Sequence, residues 1–125
     1  MTSHDVSTLA RAAYAAYETK DRAALEALLA PDFTFSSPQD DHIDRATYLQ
    51  RCWPFSEKVK SFRIERLFAQ GDEAFVQYAC QPKSGAAFRN TELFRAKGGK
   101  LAEVTVYFGS TEHGAAETAQ HHEAT

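Results

Sequence analysis

From Lys58 to Phe108 the chain alternates apolar and polar residues in four long segments, separated only by short turns rich in glycine or proline. A period of two marks extended strands that turn one face inward. The segments are Lys58–Gln70, Glu73–Gln81, Ala86–Ala96 and Lys100–Phe108. Gly71-Asp72, Pro82 to Gly85 and Gly98-Gly99 separate them. Paired glycines tolerate positive φ, which a tight hairpin requires. The second half of the chain is therefore predicted to be a run of hairpin-connected strands. Alternation puts Ala74, Val76, Tyr78 and Cys80 on one face of their strand. In the next two strands it groups Phe88, Asn90, Glu92 and Phe94, and then Val104, Val106 and Phe108.

The first third has the other period. Val6, Leu9, Ala13 and Tyr17 recur at spacings of three and four, with Ala10 and Tyr14 widening the stripe. This predicts an amphipathic helix capped by Ser3 or Asp5. A second helix starts at Asp21, carries Leu25, Leu28 and Leu29, and is expected to end at Pro31. Phe33-Thr34-Phe35-Ser36 reads as a strand and Ser37 to Asp44 as a polar loop. Asp44 is placed to cap a third helix, Arg45 to Trp53, which Pro54 stops. The tail from Gly109 is small and polar, and is expected to fray. Helices followed by consecutive strands are the α+β order. Aromatic residues on both faces of the strands imply a sheet covered on both sides, by helices on one and a second subunit on the other.

Several function classes are excluded by totals. In 125 residues with a net charge of -3 there is no basic footprint for nucleic acid. No apolar run reaches the ~18 residues of a membrane span. Met1 to Asp5 lacks the pattern of an export signal, so the cytoplasm is the expected compartment and Cys52 and Cys80 are read as thiols. They carry no nucleophile or metal signature, and each reads as a small buried hydrophobe. His113, His121 and His122 have no ligand spacing, and no phosphate cradle or dinucleotide fingerprint is present. No metal and no cofactor is expected.

A resemblance enters through specific phrases. Two helices are followed by Ala30-Pro31-Asp32-Phe33-Thr34-Phe35, a loop and a helix opening Asp44-Arg45-Ala46. After long strands come Gly98-Gly99-Lys100-Leu101 and Val104-Thr105-Val106-Tyr107-Phe108-Gly109. From about Leu9 to Gly109 this order resembles the nuclear transport factor 2-like superfamily, above all its SnoaL-like and ketosteroid-isomerase-like branches. The resemblance implies a cone of three N-terminal helices packed on a strongly curved, mostly antiparallel sheet. Residues 1–109 would form one domain, with 110–125 as a flexible tail. It implies one largely apolar pocket, but no single activity, because the fold hosts isomerases, cyclases, dehydratases, hydrolases and binding proteins. Carried over without gaps, the isomerase's catalytic aspartate falls on Ser37, and its oxyanion-hole tyrosine on Ala13, beside Tyr14 and Tyr17. Its protonated oxyanion-hole acid falls on Glu92 and a pocket aromatic on Trp53. With serine at the base position, the resemblance does not extend to steroid isomerisation.

The candidate chemistry centres on Glu92. Strand parity sets it between Phe88, Asn90 and Phe94, where ionisation is costly and a neutral acid can donate a proton or a hydrogen bond. The competing reading pairs Glu92 with Arg89 or Arg66 at a solvated rim. In Gln39-Asp40-Asp41-His42, Asp41 and His42 are candidate catalytic partners, with the imidazole as base; turn chemistry is the alternative. Tyr14, Tyr17, Phe33, Phe35, Trp53, Tyr78, Phe88, Asn90, Val106 and Phe108 are the candidate pocket walls, or else an ordinary core.

Three functions follow. The first is a cofactor-free isomerase, cyclase or dehydratase acting on a small apolar carbonyl compound. The second is a binding protein for a hydrophobic metabolite. The third is a homodimeric interaction domain that uses Phe75, Gln77, Arg89, Leu93, Thr105 and Tyr107 on the outer sheet face.

Overall fold

The computed structural model of the chain describes residues 5–111. Helix α1, Val6–Thr19, is capped by Asp5, whose Oδ1 accepts the Thr8 N–H at 2.9 Å. Lys20, at a left-handed φ of 59°, ends it and donates its N–H to the Ala16 and Tyr17 carbonyls. Asp21 caps α2, Arg22–Leu28, by accepting the Ala24 N–H at 3.0 Å. The chain then becomes extended at Leu29, two residues before Pro31, and strand β1 runs Leu29–Ser37. The helix thus ends earlier than its stripe of leucines predicts. Ala30, which precedes proline, is disfavoured in a helix, and Leu29 gains a partner in Leu101 across the sheet.

The segment expected as a loop is half strand. Asp40–Asp44 forms β2, pairing antiparallel with β1 through Phe35↔Ile43 and Thr34↔Asp44. Its polar sequence hid it, because an edge strand of five residues can be held by backbone pairing alone. Asp44 caps α3, Arg45–Cys52, by accepting the Thr47 N–H at 2.9 Å. A 3-10 turn, Trp53–Lys58, leads into β3, Val59–Gln70. Strands β4 (Glu73–Pro82), β5 (Phe88–Lys97) and β6 (Lys100–Thr111) follow. The last strand outruns its expected end at Phe108. Three of the tail residues are therefore extended, and the rest of the tail, expected to fray, lies outside the described residues.

The six strands form one curved, unclosed sheet in the order β2-β1-β6-β5-β4-β3. All neighbours are antiparallel except β1 and β6, which run parallel. One extra residue, Glu65, is accommodated between the pairs Ile64↔Tyr78 and Arg66↔Gln77. Such a bulge bends its strand and increases the local twist, which helps close the concave face. That face carries the fully buried Val76, Cys80, Val106 and Leu101, and α1 and α2 lay Leu9, Ala10 and Leu25 on it.

The outer face is different. Arg89 donates to Glu65 at 3.0 Å and Arg66 to Gln77 at 3.1 Å. Beside this polar net, Phe68, Phe75 and Tyr107 are exposed by 70%, 48% and 52%. Among the described residues, no helix is long and apolar enough to cross a membrane.

Candidate functional site

The concave face does not pack solid. Between α1, α3 and the sheet lies a hollow of about 60 Å³. That is room for a few waters or a narrow ligand head. Of the residues expected to wall it, Tyr14, Tyr17, Phe33, Phe35, Tyr78, Phe88, Asn90 and Val106 do so. Trp53 and Phe108 do not. Trp53 lies behind Tyr17, ring centroids 5.0 Å apart, and the tyrosine takes the inward place. Phe108 pairs across the sheet with Asn90 but is only half-buried against the core.

Tyr48, Cys52, Phe55, Phe62 and Phe94 also line the hollow and were missed as wall residues. Parity already grouped Phe94 with Glu92, and Tyr48 and Cys52 stand one helical turn apart on α3. Nothing local distinguishes Phe62, because the bulge after Ile64 interrupts the parity of its strand.

Glu92 enters the hollow from β5, as alternation requires. It pairs across the sheet with Val76 on one side and Val106 on the other, both fully buried. The Tyr14 hydroxyl on α1 donates a short hydrogen bond to its Oε1. Burial raises the Glu92 pKa to about 7, and the bond from Tyr14 pulls it back in part. Glu92 is half-buried as a residue, with protein surrounding its carboxyl. The rim reading therefore fails: Arg89 and Arg66 stand on the opposite face with Glu65 and Gln77.

Two further polar pairs sit in the aromatic wall. The Tyr17 and Tyr48 hydroxyls meet at 2.9 Å. Asn90 donates to the Tyr78 hydroxyl at 3.0 Å, and its own Oδ1 accepts the Gly109 N–H at 3.3 Å. Gly109 is glycine for a local reason: a Cβ there would sit 2.3 Å from the Arg89 carbonyl oxygen. Burial holds the Tyr14, Tyr48 and Tyr78 hydroxyls well above the ordinary phenol range, so they are donors rather than bases. It also pushes the Cys52 thiol up to about 12, far from a reactive thiolate. Among the described residues no other carboxyl, imidazole or amine lines the hollow.

His42 and Asp41 are not brought to this site. The His42 Nδ1 meets Asp41 Oδ1 at 2.6 Å, but both side chains lie largely in water, 63% and 93% exposed. The His42 Nε2 faces Glu103 at 3.7 Å. Glu103 neighbours Val104 in sequence and points to the other side of the sheet, so the imidazole sits outside the cone. The bond from Asp41 raises the His42 pKa above the ordinary imidazole value.

The carboxylate of that hairpin that is buried is Asp40. It is 6% exposed, paired with Arg51 Nη2 at 2.7 Å and bonded by the Ser37 hydroxyl at 3.1 Å. Ser37, at the position where the resemblance expects a base, is thus engaged with Asp40 and does not line the hollow. Cys52 and Cys80 are free buried thiols. Among the described residues no group of histidine, cysteine or carboxylate side chains could hold a metal ion.

A SnoaL-like domain model matches residues 10–104, three quarters of the chain. The chain belongs to the SnoaL-like family. Solved structures place this SnoaL-like chain in the nuclear transport factor 2-like fold. A nuclear transport factor 2-like protein of unknown function from Cytophaga hutchinsonii superposes with a TM-score of 0.68. It is 21% identical, over 83% of this chain and 89% of that one. An LEH-like epoxide hydrolase from M. tuberculosis gives 0.65 at 20% identity, over 81% and 80%. A de novo designed protein with a curved β-sheet gives 0.74 at 9% identity, over 96% of each. An architecture shared with a designed sequence carries no chemistry by itself, so the function of this SnoaL-like chain rests on its site. No curated protein matches the sequence.

Proposed function

We propose that the hollow holds a small, largely apolar carbonyl compound and that Glu92 acts on it by cofactor-free acid/base catalysis. The observation that carries this reading is a carboxyl with a pKa near neutrality, held by Tyr14 inside an aromatic wall. A group that titrates near the working pH is equally able to give and take a proton. In the protonated state Glu92 donates to a substrate carbonyl; as carboxylate it removes a proton α to that carbonyl. Either step suits an isomerisation, a cyclisation or a dehydration. A second reading, a binding protein without turnover, is favoured by one specific observation: among the described residues no second base lines the hollow.

One assay separates the two. Cyclohexanone incubated in D₂O with the chain should exchange its α-hydrogens faster than in buffer, read by proton NMR, and Glu92→Gln should remove the acceleration. Exchange at the buffer rate would discard the catalytic reading. Saturable binding of the ketone would then leave the binding protein.

We further propose that the outer face makes a homodimer. Phe68, Phe75, Leu93 and Thr105 stand opposite one another across four strands, and arginine and glutamate side chains flank them. Such a face, apolar with both charges beside it, is suited to self-association across a two-fold axis. Sedimentation at micromolar concentration should give a dimer, and Phe68→Glu a monomer. A monomeric wild type would refute the assembly.

A further inference from the structure

The hollow has a second room. Outside it, at the end of the sheet where β3 begins and β4 ends, lies a bowl of about 390 Å³. Phe55 and Phe88 line both spaces, their ring centroids 6.2 Å apart. Phe55 comes from the 3-10 turn and is only half-buried, whereas Phe88 opens β5 and is 4% exposed. The floor of the bowl is Phe55, Phe88 and Pro82, and its polar wall is Lys58, Lys83, Glu57 and Ser84. Two cations against one carboxylate leave this wall positive. The Lys83 N–H donates to the Lys58 carbonyl at 2.8 Å, which fixes the two lysines side by side across the strand ends. Among the described residues neither ammonium is in an ion pair.

We propose that Phe55 and Phe88 are the doorway of the site, and that its ligand is an elongated amphipathic anion. Its apolar end enters the hollow, and its carboxylate stays in the bowl between Lys58 and Lys83. The argument rests on the reading of the hollow as the ligand site and extends it to substrate class. A hollow of about 60 Å³ takes a small molecule or the head of a longer one, and the remainder of a longer one must lie through the doorway. Among the described residues no cation lines the hollow, where the walls are largely aromatic and the one carboxyl is Glu92, so an anionic group has no counter-charge inside; the lysines of the bowl are the cations it meets outside. Phe55, less enclosed than Phe88 and carried on a short turn, is the leaf that moves.

The probes are 4-phenylbutanoate and its neutral analogue 4-phenylbutanol, titrated calorimetrically into the full chain at low salt. The wild type should bind the carboxylate on the order of tenfold tighter than the alcohol. The double substitution Lys58→Gln with Lys83→Gln should abolish that preference while leaving alcohol affinity and melting temperature unchanged. Added salt should shrink the preference in the wild type only. Phe55→Ala should speed association of both probes in stopped flow. Equal affinities in the wild type, or a preference that survives the double substitution, would overturn the anionic end while leaving the hollow as ligand site. Association rates unchanged in Phe55→Ala would overturn the doorway. Failure of the wild type to bind even the alcohol would overturn the hollow itself, and this inference with it.

Discussion

Glu92→Gln should leave the chain about as stable as the wild type near pH 4 and about 3 kcal/mol more stable at pH 9. The sign follows from proton binding. An ordinary glutamate titrates at 4.5, and burial moves Glu92 to about 7 in the folded chain. Between these values the folded state holds a proton that the unfolded state has released. Stability therefore falls as pH rises through this window and stays lowered above it, where both states are ionised. Below pH 4.5 both states are protonated and the cost vanishes. Glutamine keeps an oxygen for the Tyr14 hydroxyl and never ionises, so its stability lacks this slope. Urea denaturation at intervals from pH 4 to 9 reads the difference between the two curves. Parallel curves would show that the carboxyl is not desolvated. Tyr14→Phe removes the bond that lowers the Glu92 pKa, so in that variant the fall should begin at the same pH and extend to higher pH.

Phe33→Ala should destabilise the fold by about 3–5 kcal/mol, the range for deleting a buried aromatic ring. Phe33 is 1% exposed on β1 and packs its ring 5.0 Å from that of Tyr48. Against a typical total of about 5–15 kcal/mol, this leaves a marginal protein, with a melting temperature lower by roughly 10–20 °C. The loss has a functional side as well. Phe33 walls the hollow already, so the vacated space adds to it rather than forming a separate void. A small apolar ligand should then recover more stability in the variant than in the wild type. Thermal unfolding with and without saturating cyclohexanone measures both effects. A loss below about 1 kcal/mol would mean that Phe33 does not bridge sheet and α3.

Much of the fold was legible because its signals are local. Asp5, Asp21 and Asp44 each cap a helix through a bond to a residue three places on, which a sequence displays directly. The hairpin turns declare themselves through their glycines. The strand β2 did not, since nothing in Asp40–Asp44 alternates cleanly and its pairing to β1 is supplied by the backbone. The parallel pairing of β1 with β6 is equally silent, because it joins segments about seventy residues apart.

For the site, period two was decisive once. A residue on a paired strand shares its face with the residues two places away, so Phe88, Asn90 and Phe94 carried Glu92 inward with them, and that needs no knowledge of the rest of the chain. Which hydroxyl meets Glu92, which side of the sheet His42 takes, and why Asp40 rather than Asp41 is buried were decided only by the folded molecule. So was the displacement of Trp53 by Tyr17 from the wall. Each of these is a contact between elements distant in sequence, set by packing and sheet register. Short-range pattern constrains the direction of a side chain; only the assembled layers determine what it meets there.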